Sequence, residues 1–119
     1  MSSLQLTAGI RDVDLNLNRE VRALAVTTAG DAFDYRKVNV TQAAEYTFTI
    51  DTDVGNAGLC WIYNADATNY IQVGFATTVY YLRILAGQAA VIPLEPGTSA
   101  LYLRANTADC ETEVYVREA

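Results

Sequence analysis

The chain has 119 residues, of which 51% are hydrophobic and 18% charged, with a net charge of −6 and no histidine. This length and apolar share fit one domain with its own core and exclude intrinsic disorder. The acidic balance, with no basic cluster longer than Arg36-Lys37, excludes a free-standing DNA or RNA binder, and the missing histidine removes the commonest general base and metal ligand.

The opening, MSSLQLTAGIRDVDLNLNRE, lacks the basic-then-apolar order of a secretory signal, and no stretch of the chain holds 18 continuous apolar residues. Synthesis in a cytosol and reduced thiols are therefore expected. Leu15 and Leu17 alternate as in a strand, while LNLNREVRAL also suits a short helix. Residues 1–20 are expected as an extended N-terminal arm that orders on docking, and 21–119 as a β-sandwich domain.

From residue 22 onward, period-2 alternation dominates. RALAVTT (22–28) begins the series. In YRKVNVTQ (35–42), Val38 and Val40 share one side; in EYTFTID (45–51), Tyr46, Phe48 and Ile50 do. GLCWIYN (58–64) is apolar nearly throughout, the mark of a strand buried on both sides. NYIQVGF (69–75) aligns Ile71, Val73 and Phe75, and TVYYLRIL (78–85) aligns Tyr80, Leu82 and Ile84. AAVIPLE (89–95) contains Pro93, which cannot donate to a ladder, so an edge position is expected. ALYLRAN (100–106) points Leu101 and Leu103 one way and Tyr102 and Arg104 the other. ETEVYVRE (111–118) points Val114 and Val116 inward and Glu113, Tyr115 and Arg117 outward.

Turn chemistry fills the gaps. In Glu95-Pro96-Gly97-Thr98, Pro96 presets φ and Gly97 supplies the positive φ of a type II turn. The spacing predicts an all-β, antiparallel sandwich of about eight or nine strands, jelly-roll-like, with an immunoglobulin-like order as the alternative.

Chemistry-bearing patterns are few. No GxxxxGK[ST], GxGxxG or CxxC occurs. Asp51-Thr52-Asp53-Val54-Gly55 shares Asp-x-Asp and a nearby Gly with a calcium loop. Its glycine falls one place early, and Ile62 stands where a bidentate acid is needed, so it reads as a turn. Glu111 and Glu113 share one strand face beside Asp109, whereas glycosidase chemistry needs two carboxyls across a cleft. Cys60, in the most apolar strand, reads as a small hydrophobe and Cys110 as a turn residue; a bond between them stays open. Tyr63, Tyr70, Tyr80, Tyr81, Tyr102 and Tyr115 suit sugar stacking or a protein interface. Tyr81, Arg83, Tyr102 and Arg104 are the better candidates for a protein contact, because Tyr and Arg are enriched at binding hot spots.

CWIYNADATNYIQVGF (60–75), YYLRILAGQAAVIPLEPG (80–97) and ALYLRANTADCETEVYV (100–116) together resemble small structural proteins of tailed-bacteriophage virions. The resemblance spans residues 58–117. It implies a β-sandwich of the capsid cement or decoration type that bridges major capsid protein subunits on the exterior of the expanded head, made in the host cytoplasm. It implies homo-oligomers, trimers or dimers, and the residues themselves lead to the expectation of no enzyme activity, cofactor, metal, nucleic acid or membrane. A small tail, neck or fibre component is the alternative within that class, and a carbohydrate-binding module for host attachment is the alternative of another kind. The residues expected to meet partners are Leu4, Leu6 and Ile10 in the arm and Tyr81, Arg83, Tyr102, Arg104 and Tyr115 in the sandwich.

Overall fold

The computed structural model describes the backbone of residues 2–12, 16–28 and 32–118, and the side chains of Asn16 and of 32–118. The chain divides into two units, Met1–Asp31 and Ala32–Ala119. The first holds β1 (Ser2–Asp12) and β2 (Leu17–Thr28), paired antiparallel with a register shift between Leu6 and Ala8. Asn16, at φ 53°, closes the connection between them in the conformation asparagine tolerates better than most residues. The division between the two units falls between residues 31 and 32. RALAVTT pairs with β1 instead of opening the sandwich series, because the alternation of residues 1–12 gives it an antiparallel mate.

The second unit contains β3 (Phe33–Val40), β4 (Tyr46–Thr49), β5 (Ala57–Asn64), β6 (Ile71–Gly74), β7 (Leu82–Ile84), β8 (Ala89–Pro93), β9 (Ala100–Ala105) and β10 (Cys110–Glu118). They form two antiparallel sheets, ordered β3-β10-β5-β8 and β4-β9-β6-β7. Every connection changes sheet except β6 to β7. The unit is an all-β sandwich, as the alternation predicts. No described helix is long and apolar enough to cross a membrane.

Alternation places the core. Val38, Val40, Cys60, Ile62, Val114 and Val116 from the first sheet meet Phe48, Ile71, Val73, Leu101 and Leu103 from the second. Burying side chains of this size contributes roughly 1.5–3 kcal/mol each. Pro93 sits on β8, an edge strand, where its missing N–H leaves no ladder bond broken. Glu95 to Thr98 form the anticipated corner: Gly97 has φ 91°, and the Thr98 N–H donates to the Glu95 carbonyl at 3.1 Å.

Polar clasps join the sheets at both ends. Arg36 on β3 donates from Nε and Nη2 to both oxygens of Asp34, at 3.0 and 2.8 Å. Its guanidinium also lies 3.7 Å from the centroid of Phe48 on the opposite sheet and donates to the Thr49 carbonyl. The Asp51 N–H donates to Asp34 Oδ2 at 2.9 Å. At the other end, the wholly buried Asn64 holds the turn after β5. Asp51-Thr52-Asp53-Val54-Gly55 is a single 3₁₀ turn, capped by the Asp51 carboxylate accepting from the Asp53 N–H at 2.9 Å.

Local expectations fail at Phe75, at Tyr80 with Leu82, and at Cys110. Phe75 is 41% exposed because β6 ends at Gly74. Tyr80 and Leu82 do not enter the core with Ile84, because β7 begins only at Leu82 and Leu82 is itself exposed. Cys110 is the first residue of β10, fully buried, not a turn residue.

Candidate functional site

Register builds a surface that the sequence leaves scattered. Opposed residues in an antiparallel sheet project to the same face. On the outer face of the first sheet, β10 sets Tyr115 between Tyr35 and Trp61, and Trp61 faces Val91 on β8. One row, Tyr35–Tyr115–Trp61–Val91, therefore crosses all four strands. The flanking rows are Phe33–Arg117–Leu59–Pro93 and Lys37–Glu113–Tyr63–Ala89.

Phe33 is 60% exposed, Tyr35 43% and Val91 41%. Phe33 stacks on Tyr115 with centroids 5.8 Å apart, and Trp61 stacks on Tyr63 at 5.9 Å. The rims are polar. The Tyr35 hydroxyl donates to Glu113 Oε1, and Arg117 Nη1 donates to the Tyr115 hydroxyl at 3.2 Å. The Glu113 hydrogen bond, with burial and the carboxylate charge behind it, raises the Tyr35 phenol above its ordinary value and keeps it neutral. GLCWIYN is therefore core on one face only. Its other face carries the stacked rings of Trp61 and Tyr63.

The second sheet presents a more polar outer face. Gln72 is opposed by Arg83 on one side and Arg104 on the other, and Tyr102 opposes both Thr47 and Gly74. Tyr81, 78% exposed, precedes β7 and donates its N–H to the Val73 carbonyl at 3.1 Å. The structure thus gathers Tyr81, Arg83, Tyr102 and Arg104 around one sheet and puts Tyr115 on the other. Both arginines are engaged within the chain: Arg83 lies 4.8 Å from the Tyr70 ring, and Arg104 donates to the Gln42 carbonyl at 3.3 and 3.4 Å. Leu4, Leu6 and Ile10 fall on β1, and their side chains lie outside the described residues.

Phe33, Tyr35 and Trp61 are the surface residues that sequence reasoning missed. Tyr35 and Trp61 belong to segments read as strands, Phe33 to a gap between them, and only the pairing of strands far apart in sequence aligns the three.

Shallow clefts lie among the described residues. A cleft of about 250 Å³ is lined by Phe75, Pro93, Leu94, Glu95 and Thr98, and one of about 200 Å³ runs along Ile50 to Thr52 and Gly97 to Ser99. Neither gathers an acid, base and nucleophile. Among the described residues no group of three or more His, Cys, Asp or Glu is placed to hold a metal. No protein family, curated protein or solved structure matches the chain.

Proposed function

We propose that the chain is a structural protein of a tailed-phage virion, a capsid cement or decoration protein that bridges neighbouring major capsid subunits on the outside of the expanded head. It works by binding and transforms no substrate. The observation that carries this reading is the aromatic row Tyr35–Tyr115–Trp61–Val91 across one sheet, with a polar rim of Lys37, Glu113 and Arg117. An apolar centre rich in Tyr and Trp within a polar rim is the anatomy of a protein interface. A stable contact needs roughly 1,000 Å² of buried surface, and the proposed contact would use this face as its centre. Repetition over a symmetric shell adds avidity.

Two further features support the reading. The alternation of successive strands between sheets is the winding of a jelly roll more than of an immunoglobulin-like sandwich, whose early strands are sheet neighbours. The two ring pairs of this face are stacked, at interplanar angles of 23° and 25°. Faces already taken by rings make a poor platform for sugars, so a protein partner is favoured over a glycan.

The test adds purified protein to expanded phage heads that lack it, and measures copies bound and thermal stability. Saturable binding at a fixed ratio to major capsid subunits, with a raised melting temperature, is expected. Binding confined to one vertex or to tails moves the function to the tail, neck or fibre. Glycan binding without head binding overturns the proposal.

A further inference from the structure

The edges of the two sheets are unequal. β7 has three residues, β4 has four, and β8 carries Pro93. Short strands and proline are the usual ways of blunting an edge. β3, the remaining edge, runs for eight residues, Phe33 to Val40.

The phase of its hydrogen bonds follows from one contact. The Glu118 N–H donates to the Ala32 carbonyl at 3.0 Å. Bonded pairs in an antiparallel ladder recur at every second residue, so the even-numbered residues of β3 bond to β10. Phe33, Tyr35, Lys37 and Asn39 turn their N–H and C=O groups to the edge away from β10. Their side chains lie on the same outer face as the aromatic row.

We propose that β3 pairs antiparallel with β3 of a second copy about a two-fold axis at Tyr35, joining two four-stranded sheets into one of eight. Charge selects the register. An axis at Asp34 opposes two carboxylates, at Arg36 two guanidinium groups, and at Lys37 two ammonium groups, each unfavourable when directly opposed. An axis at Val38 avoids like charges but leaves only Lys37 and Asn39 to exchange bonds, about four in all. An axis at Tyr35 opposes Asp34 to Arg36 of the other copy and Phe33 to its Lys37, and lets Phe33, Tyr35 and Lys37 exchange about six bonds. The row Val91–Trp61–Tyr115–Tyr35 then continues without a break into its own symmetry mate. A two-fold axis normal to the sheet keeps both outer faces on one side, so the inference deepens the proposed function and rests on it: one dimer presents a doubled aromatic face to the shell.

Sedimentation of the full chain at high micromolar concentration is expected to show a species of twice the chain mass. At the axis the two Tyr35 Cα atoms lie about 5.5 Å apart, inside disulfide range. The two Lys37 Cα atoms lie about 14 Å apart, outside it. Mild oxidation is therefore expected to cross-link Tyr35→Cys as a dimer and to leave Lys37→Cys and the unmodified chain uncrosslinked. A monomer at all concentrations with no cross-link through Tyr35→Cys overturns the proposal, and so does cross-linking through Lys37→Cys in its place. Heads are absent from this experiment, so a failure here leaves head binding to be judged separately.

Discussion

Asn64 and Ile84 belong to opposite sheets, and the Asn64 Nδ2 donates to the Ile84 carbonyl at 3.1 Å. The same nitrogen donates to the Asn69 carbonyl at 2.8 Å, and Oδ1 accepts from the Asp66 N–H at 3.0 Å. The side chain is fully buried. Asn64→Leu keeps its size but takes the amide partner from two carbonyls and an N–H. Each orphaned buried group costs about 1–3 kcal/mol, so a loss of about 3 kcal/mol is expected. Urea unfolding should show a lower midpoint at unchanged slope. A loss below about 1 kcal/mol would mean that water reaches this end of the sandwich.

Trp61 and Tyr115 separate the work of the outer face from that of the core. Both are only partly buried and oppose each other across β5 and β10, away from the inner face. Trp61→Ala and Tyr115→Ala should leave the fold intact and weaken binding to heads by tenfold or more each, the size of an interface hot spot. Thr47→Ala, on the other sheet's outer face, should change binding little. Equal loss from all three would remove the special role of the aromatic row.

Much of this fold is legible in single-strand alternation. Val38/Val40, Leu101/Leu103 and Val114/Val116 point inward as their period demands, Pro93 takes an edge, and Pro96-Gly97 takes a corner. What alternation cannot supply is which strands become neighbours. Trp61 looked doubly buried because its own segment is apolar; its exposure follows from Tyr115 and Val91 being its lateral neighbours on an outer face. Phe75 failed because its strand ends at Gly74, where a later loop crosses. Residues 22–28 form a strand as the alternation predicts, and pairing adds that their mate is the preceding β1. The candidate face is a product of register, and register is non-local.

That crossing makes Gly74 a sensitive position. A Cβ there would lie 1.7 Å from the Val79 carbonyl oxygen. The connection cannot easily retreat, because the Glu45 carboxylate accepts from Thr77 Oγ1 and the Thr78 N–H, both at 2.7 Å, and from the Tyr80 hydroxyl. Gly74→Ala is expected to cost about 2 kcal/mol or more through overpacking. Amide exchange should quicken in residues 75–81, which lead into β7. Unchanged exchange there would show that the backbone gives way elsewhere.

Acid should loosen the Arg36 clasp. Burial opposes ionisation of Asp34, but the Arg36 hydrogen bonds, the Asp51 N–H and the Arg36 charge outweigh it and hold the carboxyl below its ordinary 3.8. A folded-state value below the unfolded one means stabilisation that is full above about pH 4 and drains as pH falls through the lowered value. Asp34→Asn should therefore be less stable than the parent at pH 7, with the gap narrowing towards pH 2. Unfolding free energies measured along that series check the sign. A gap that stays constant with pH would assign the loss to packing instead of charge.

The two thiols give the last prediction. Cys60 on β5 has Val116 as its partner on β10, six residues from Cys110. At about 3.3 Å per residue that is about 20 Å along the strand, far beyond disulfide reach, and both cysteines are free. Burial pushes the Cys60 thiol up to about 12. Burial, followed by the Asp66 and Asp109 charges, raises Cys110 as well. Thiolate is the reacting form, so at pH 8 neither group should react with a thiol reagent while the chain is folded. Two equivalents should react once urea unfolds it, and labelling in water should proceed only as fast as the sandwich opens. Prompt native labelling of Cys110 would show that the turn before β10 opens alone, releasing Sγ from the Ala108 and Asn69 carbonyls it contacts at 3.6 and 3.7 Å.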